Sequence, residues 1–270
     1  MNIISRVLYD KRKSSTSALI PFITAGYPSI DMTYKLLHVL NEEGADIIEL
    51  GIPYSESLAD GPLIQHASKV ALQQGIYIDQ VLSMLNKLSS VIKVPIIIFS
   101  YYNPILSRGV DKFINEISSL GVKGLIIPDL PIEETDYLLY LCNQCSIELI
   151  LFIAPTSSSN RISNILSKST GCVYLVSSTG VTGIRKNLNY SIQSLSSNIV
   201  KNTNKLTMLG FGISNAYQVS QVSSWNIDGI VIGSAFTQII SKYSDCKIDA
   251  ESSILLNVRI FCRDIKLALK

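Results

Sequence analysis

A single closed (β/α)8 barrel is the architecture this sequence predicts, on three observations. Short apolar runs rich in β-branched residues alternate with helix-period stripes, about eight such repeats follow one another without a long linker, and the glycine-rich loops stand late in the chain. Alternation of this kind describes parallel strands joined by crossover helices rather than hairpins. Eight repeats are enough to close the sheet on itself, which removes the edges an open sheet would leave. Barrels of this type run to about 250 residues as one unit, so residues 1–270 are read as one domain.

The elements follow in order. Strands are expected at Ala18 to Ile23, Ile47 to Leu50, Pro95 to Phe99, Gly124 to Ile127, Leu149 to Ile153, Val173 to Val176, Leu206 to Leu209 and Gly229 to Ile232. Between the first two, Met32, Leu36, Val39 and Leu40 share one helical face; after the second, Val81, Met84, Leu85 and Leu88 share another. A helix is expected from Ile132 to Gln144, and a last amphipathic stripe runs through Ile254, Leu255, Val258, Phe261, Cys262 and Ile265. An open doubly wound sheet has the same periodicity, but a dinucleotide fold places G-x-G-x-x-G after its first strand. Here that turn reads Thr24-Ala25-Gly26-Tyr27-Pro28.

Composition excludes several functions. A net charge of +2 with 16% charged residues gives no electrostatic footprint for nucleic acid. No run approaches the roughly 18 apolar residues of a membrane span, and Met1 to Tyr9 lacks the apolar run and cleavage site of a secretory signal, so a soluble compartment is expected. The 5 cysteines are scattered and do not combine with the 2 histidines as a metal site. Cys142 and Cys145 form a C-x-x-C, but with Leu138 and Leu141 they continue an apolar helical stripe, which makes them core residues. His38 and His66 lie in helical stretches without metal-spaced neighbours and are read as surface or capping residues.

In a barrel, the carboxyl ends of the strands and the loops that follow them form the active-site face. Glu49 ends an apolar strand there, where a carboxylate is unfavourable unless paired, hydrated or used in proton transfer. Asp60 follows in the long loop from Ile52 to Pro62, and two carboxylates on one rim can divide acid and base roles. Asp129 also closes a strand; it is read either as a cap for the helix from Ile132 or as a supporting site residue.

Three late loops carry a phosphate signal: Thr179-Gly180-Val181-Thr182-Gly183, Gly210-Phe211-Gly212-Ile213-Ser214 and Gly233-Ser234-Ala235. Glycines let main-chain N–H groups approach an anion, and a helix starting at Gly233 would aim its positive end at the same point. Phe22, Phe99, Tyr174 and Phe211 stand at or near strand ends, where they could surround a flat apolar group or simply fill the core.

These residues also match a family pattern over nearly the whole chain. Its marks include Pro21-Phe22-Ile23-Thr24-Ala25-Gly26-Tyr27-Pro28, Ile48-Glu49-Leu50-Gly51-Ile52-Pro53-Tyr54-Ser55 and Leu58-Ala59-Asp60-Gly61-Pro62 with Ile64-Gln65. Tyr101-Tyr102-Asn103-Pro104, Pro128-Asp129-Leu130-Pro131, Ala154-Pro155-Thr156 and the three glycine loops follow in order. In these marks the chain resembles the tryptophan synthase α subunit family.

The resemblance implies retro-aldol cleavage of indole-3-glycerol phosphate to indole and glyceraldehyde 3-phosphate, a lyase step of tryptophan biosynthesis needing no cofactor on this chain. It implies that Glu49 is the general acid/base and that Asp60 holds the indole N–H and stabilises the protonated ring. Phe22, Ile64, Phe99, Ile126, Tyr174, Thr182 and Phe211 match positions around the indole; Gly183, Gly212, Ile213, Gly233 and Ser234 match those around the phosphate. A pyridoxal-phosphate β subunit in an α2β2 heterotetramer is the implied partner, with pyridoxal phosphate on that partner. The chain departs from the family pattern at Glu56 and Ser57, where many members carry Asp-Pro in a loop that faces the β subunit.

Two other readings compete. A different phosphate-binding barrel, such as a sugar-phosphate epimerase or isomerase, shares the late glycine loops but does not explain Glu49 with the Leu58 to Pro62 run. A non-catalytic barrel kept to activate a partner has no need of both Glu49 and Asp60. The abundance of Ile, Ser, Asn and Lys points to an AT-rich genome, and hence to a bacterial cytoplasm or a plastid stroma.

Overall fold

Along each strand, successive side chains point to opposite faces, and in this molecule both faces are apolar. The computed structural model describes residues 1–176, 191–210, 212–244 and 249–269. Its strands are β1 (Ala18–Thr24), β2 (Ile48–Gly51), β3 (Ile96–Phe99), β4 (Gly124–Ile126), β5 (Glu148–Ile153), β6 (Cys172–Val176), β7 (Leu206–Gly210) and β8 (Gly229–Ile232). All neighbours are parallel, and β8 pairs with β1 to close the barrel. The expected barrel is therefore present, with strand bounds within about two residues of those read from sequence.

The helices are α1 (Ile3–Lys13), α2 (Ile30–Glu42), α3 (Pro62–Gln73), α4 (Ile78–Leu88), α5 (Tyr102–Arg108) and α6 (Val110–Ser119), then α7 (Thr135–Gln144), α8 (Ser159–Lys168), α9 (Ser191–Asn202), α10 (Ala216–Val222), α11 (Ser234–Ser244) and α12 (Ala250–Ala268). Leu19, Ile23, Ile48, Leu50, Ile98 and Leu125 face outward and pack under this helical layer. Ala18, Ile20, Phe22, Ile97, Phe99 and Ile150 alternate with them and fill the barrel interior. The helical faces read from sequence are buried as expected: Met32, Leu36, Val39 and Leu40 on α2, and Val81, Met84, Leu85 and Leu88 on α4. The expected helix from Ile132 begins instead as a 3-10 turn, Ile132–Glu134, before α7.

Strand–helix alternation gives no hint of α1. Its Ile4 and Leu8 are fully buried and enter the interior cluster, so this helix plugs the amino-terminal end of the barrel. Polar anchors fix it there. Ser5 donates to both Glu148 oxygens, at 2.6 and 2.8 Å, and the Cys172 N–H donates to the same carboxylate at 2.8 Å. Arg12 makes a two-pronged ion pair with buried Asp228, at 2.7 and 2.6 Å, and the Thr207 N–H donates to Asp228 at 2.7 Å. A planar guanidinium fork on a carboxylate is the strong form of ion pair, and removing one buried partner leaves the other unsatisfied. Asp228→Ala is therefore expected to destabilise the protein by roughly 2 to 4 kcal/mol in chemical denaturation, with little change in the residual activity of the folded fraction.

Cys142 is buried in the outer core, Cys145 packs against that core, and neither is in a disulfide, in accord with the core reading. His38 stacks on Tyr34 and His66 is exposed beside Tyr27, and neither caps a helix. Among the described residues no helix is long and apolar enough to cross a membrane, and no group of His, Cys, Asp or Glu is arranged to hold a metal ion.

Candidate active site

The strand register sets the site. Phe22 on β1 stands opposite Glu49 on β2, and Glu49 opposite Ile97 on β3, all with inward parity. Glu49 is thus carried into the barrel interior near the carboxyl end of its strand, where it is 1% exposed. Its Oε2 has no hydrogen-bond partner among the described residues. Burial pushes its carboxyl up to about 8, and the nearby Asp60 charge adds to the rise.

Asp60 reaches the same space from the loop after β2. It is 4% exposed, and its Oδ2 accepts from the Tyr101 hydroxyl at 3.1 Å. Burial raises Asp60 to about 7 against the downward pull of that hydrogen bond. The Ala59 N–H donates to the same Tyr101 oxygen at 3.0 Å, so one hydroxyl fixes both the loop backbone and its carboxylate. Loop shape is set further by the Gln65 amide, which donates to the carbonyls of Ser57 at 3.2 Å and Asp60 at 3.0 Å.

A cavity joins these groups. Glu49, Asp60, Phe22, Ile64, Phe99 and Tyr174 line it. Gly212, Gly233 and Ser234 line it too, with Val231, which the sequence does not single out. Phe22 and Phe99 meet edge to face at 5.6 Å, which makes this wall apolar and aromatic. Tyr174 approaches so closely to β7 that a Cβ on Gly210 would lie 1.8 Å from its hydroxyl; only glycine fits at that position. Burial holds the Tyr174 phenol well above its ordinary range, with the charges of Glu49 and Asp60 adding to the shift.

Not every expected residue behaves as read. Ile126 is buried in the interior cluster but does not line the cavity. The Ile213 side chain packs in the outer core, leaving only its backbone available to the site. Thr182, Gly183 and Phe211 lie outside the described residues. Asp129 is a cap, but not for the helix that follows it: its Oδ1 accepts the Tyr102 N–H at 2.9 Å, at the start of α5. Chain proximity suggested the wrong helix, because α5 and the end of β4 meet only in the folded rim.

Tyr101 is a candidate site residue that sequence reasoning does not single out. It was visible within Tyr101-Tyr102-Asn103-Pro104, but its bond to Asp60 spans 41 positions and has no local signature. Tyr101→Phe removes the hydrogen bond that lowers Asp60 and leaves the Ala59 N–H without its acceptor. We expect about a tenfold loss of kcat/KM that is larger at pH 6.5 than at pH 8, because the acid limb of the profile moves upward.

Larger clefts lie elsewhere among the described residues. One of about 490 Å³ runs between α2 and α4, one of about 530 Å³ opens beside α1 on the amino-terminal face, and one of about 160 Å³ lies against β5, between Thr135 of α7 and Ile165 of α8. None of these joins two buried carboxylates to glycine loops, so the smaller cavity at the carboxyl ends of the strands is the candidate site.

A family model described as tryptophan synthase alpha chain matches residues 8–269. A tryptophan synthase alpha chain of Gracilaria tenuistipitata var. liui is 60% identical, covering 100% of this chain and 97% of its own; that of a Synechocystis strain is 43% identical, covering 100% of each. Among solved structures, Mycobacterium tuberculosis tryptophan synthase has a TM-score of 0.89 at 27% identity, covering 99% of this chain and 98% of its own. A tryptophan synthase complex from Pyrococcus furiosus has a TM-score of 0.81 at 28% identity, covering 93% and 98%.

Proposed function

The chain belongs to the tryptophan synthase alpha chain family, and from that premise we propose that Glu49 and Asp60 divide the proton chemistry of its lyase reaction. The reaction is the retro-aldol cleavage of indole-3-glycerol phosphate to indole and glyceraldehyde 3-phosphate, the α-subunit step of tryptophan biosynthesis. Two buried carboxylates lining one cavity, both raised by burial, carry the assignment.

With Glu49 near 8 and Asp60 near 7, a window around neutrality has Glu49 protonated and Asp60 ionised. Protonated Glu49 gives its proton to the indole ring carbon that bears the glycerol chain. Asp60, held by Tyr101, accepts the indole N–H and stabilises the resulting ring cation. The bond from the ring carbon to the chain then breaks, its electron pair returning to the ring. The adjoining hydroxyl becomes the aldehyde carbonyl, and its proton returns to the Glu49 carboxylate. One proton is given and one taken, so Glu49 is regenerated and the balance closes on these side chains without a cofactor.

Phe22, Ile64, Phe99 and Tyr174 enclose the indole in this reading, with Ile126 in the interior cluster they share; Thr182 and Phe211 are assigned to the same pocket by the family pattern alone. The phosphate takes main-chain N–H groups of Gly212, Ile213, Gly233 and Ser234, and Gly183 is assigned to the same role by the family pattern alone. Its charge is favoured by the amino-terminal end of α11, since Gly233 and Ser234 line the cavity.

The partner in this reading is a tryptophan synthase β subunit carrying pyridoxal phosphate, in an α2β2 assembly that receives the indole; the likeness to a tryptophan synthase complex supports it. Relatives of red-algal and cyanobacterial source support a bacterial cytoplasm or plastid stroma. The test is indole release from indole-3-glycerol phosphate by the wild type, with and without a β subunit. Release that rises with the β subunit supports both activity and partnership; no release under either condition overturns the proposal.

A further inference from the structure

We propose that Gln218 is a positioning residue for the phosphate, acting through the loop that joins β7 to α10; the inference rests on the phosphate reading given above. Gln218 is 4% exposed, and its Oε1 accepts from Ser214 twice, from the backbone N–H at 2.8 Å and from the hydroxyl at 3.1 Å. The helix that carries Gln218 is itself fixed at its start, where the Asn215 side chain accepts the Gln218 N–H at 2.9 Å. This is a variant of the capping box in which the third helical side chain reaches back past the capping residue to the one before it.

The consequence falls on the loop. Gly212 has a φ of +91°, a left-handed conformation that turns the chain sharply just after β7, and the Ile213 side chain is anchored in the outer core. Ser214 is the next residue. With its N–H and hydroxyl both committed to Gln218, Ser214 is tied to α10 and withdrawn from the anion, and the preceding Gly212 and Ile213 amides are left to meet it. A buried amide that lost this pairing would leave the Ser214 N–H unsatisfied and the turn free to relax. The role differs from that of a simple helix cap because its effect is confined to ligands that carry a phosphate.

Gln218→Met keeps the length of the side chain and removes its acceptor; Gln218→Asn keeps an amide but shortens its reach, and serves if the Met variant fails to fold. The measurements are KM and kcat for indole-3-glycerol phosphate, and binding of a phosphate-free indole alcohol, 3-(indol-3-yl)propan-1-ol, beside its phosphate ester. The expected result is a KM raised about tenfold or more with kcat within about threefold, weaker binding of the ester, and unchanged binding of the alcohol. Ser214→Ala, which leaves the N–H bond in place, should shift KM by less than about threefold. An unchanged KM, or equal weakening of alcohol and ester, overturns the role of Gln218. If the wild type itself binds ester and alcohol equally, the phosphate site is wrong and the inference falls with it.

Discussion

Glu49→Gln is expected to abolish indole release almost completely, by about 10³-fold or more in kcat, while leaving a folded protein. A single positioned acid or base contributes roughly 10² to 10⁴ in rate, and in the proposed mechanism this one carboxyl serves as both. The amide matches the shape of the carboxylic acid but can neither supply the proton nor recover it. A second readout separates chemistry from structure. Because burial raises Glu49 to about 8 in the folded protein, folding favours its protonated form. Its stabilising contribution is complete below the unfolded value near 4.5 and is lost as the pH rises towards 8, at up to about 1.4 kcal/mol per pH unit. Urea midpoints followed from pH 5 to pH 9 should therefore fall less steeply for Glu49→Gln than for the wild type. Equal slopes would mean that Glu49 is solvated or paired in solution, and wild-type activity in the variant would remove it from the mechanism.

Asp60→Asn is expected to lower kcat by about 10² to 10³, the range seen when one preorganised electrostatic group is removed from a developing charge. Asparagine can still accept an indole N–H, so substrate affinity should change little; what it lacks is the negative charge opposite the protonated ring. The pH profile gives the more specific test. In the wild type, kcat/KM should be bell-shaped, falling below about 7 as Asp60 protonates and above about 8 as Glu49 ionises. In Asp60→Asn the acid limb disappears. The alkaline limb moves to lower pH, because the Asp60 charge that helps to raise Glu49 is gone. A profile that keeps both limbs would show that another group, not Asp60, controls the acid side.

Glu56 and Ser57 lie beside this machinery but not in it. Ser57 is buried and its carbonyl accepts both the Asp60 N–H, at 3.0 Å, and the Gln65 amide, whereas the neighbouring Leu58 is 79% exposed. The departure from the family pattern therefore falls on the backbone scaffold of the Asp60 loop, and leaves an apolar side chain presented outward next to it.

The barrel and the two buried carboxylates are legible in local sequence pattern. Alternation of β-branched runs with helical stripes is a local property, written within each ten to fifteen residues, and eight repeats leave few topologies that bury both faces of every strand. Glu49 was legible because a carboxylate inside an apolar strand is an anomaly that burial alone does not explain. The tertiary structure decided the rest, where partners lie far apart in the chain. It bonded Tyr101 to Asp60, gave the Asp129 cap to α5, committed Ser214 to Gln218, and turned the Ile213 side chain away from the cavity. It also made the first helix a plug, through the bonds of Ser5 to Glu148 and of Arg12 to Asp228. Periodicity fixes which face a side chain takes on its own element, but closure of the barrel fixes which distant element that face meets, and the burial that raises Glu49 and Asp60 arises only from that meeting.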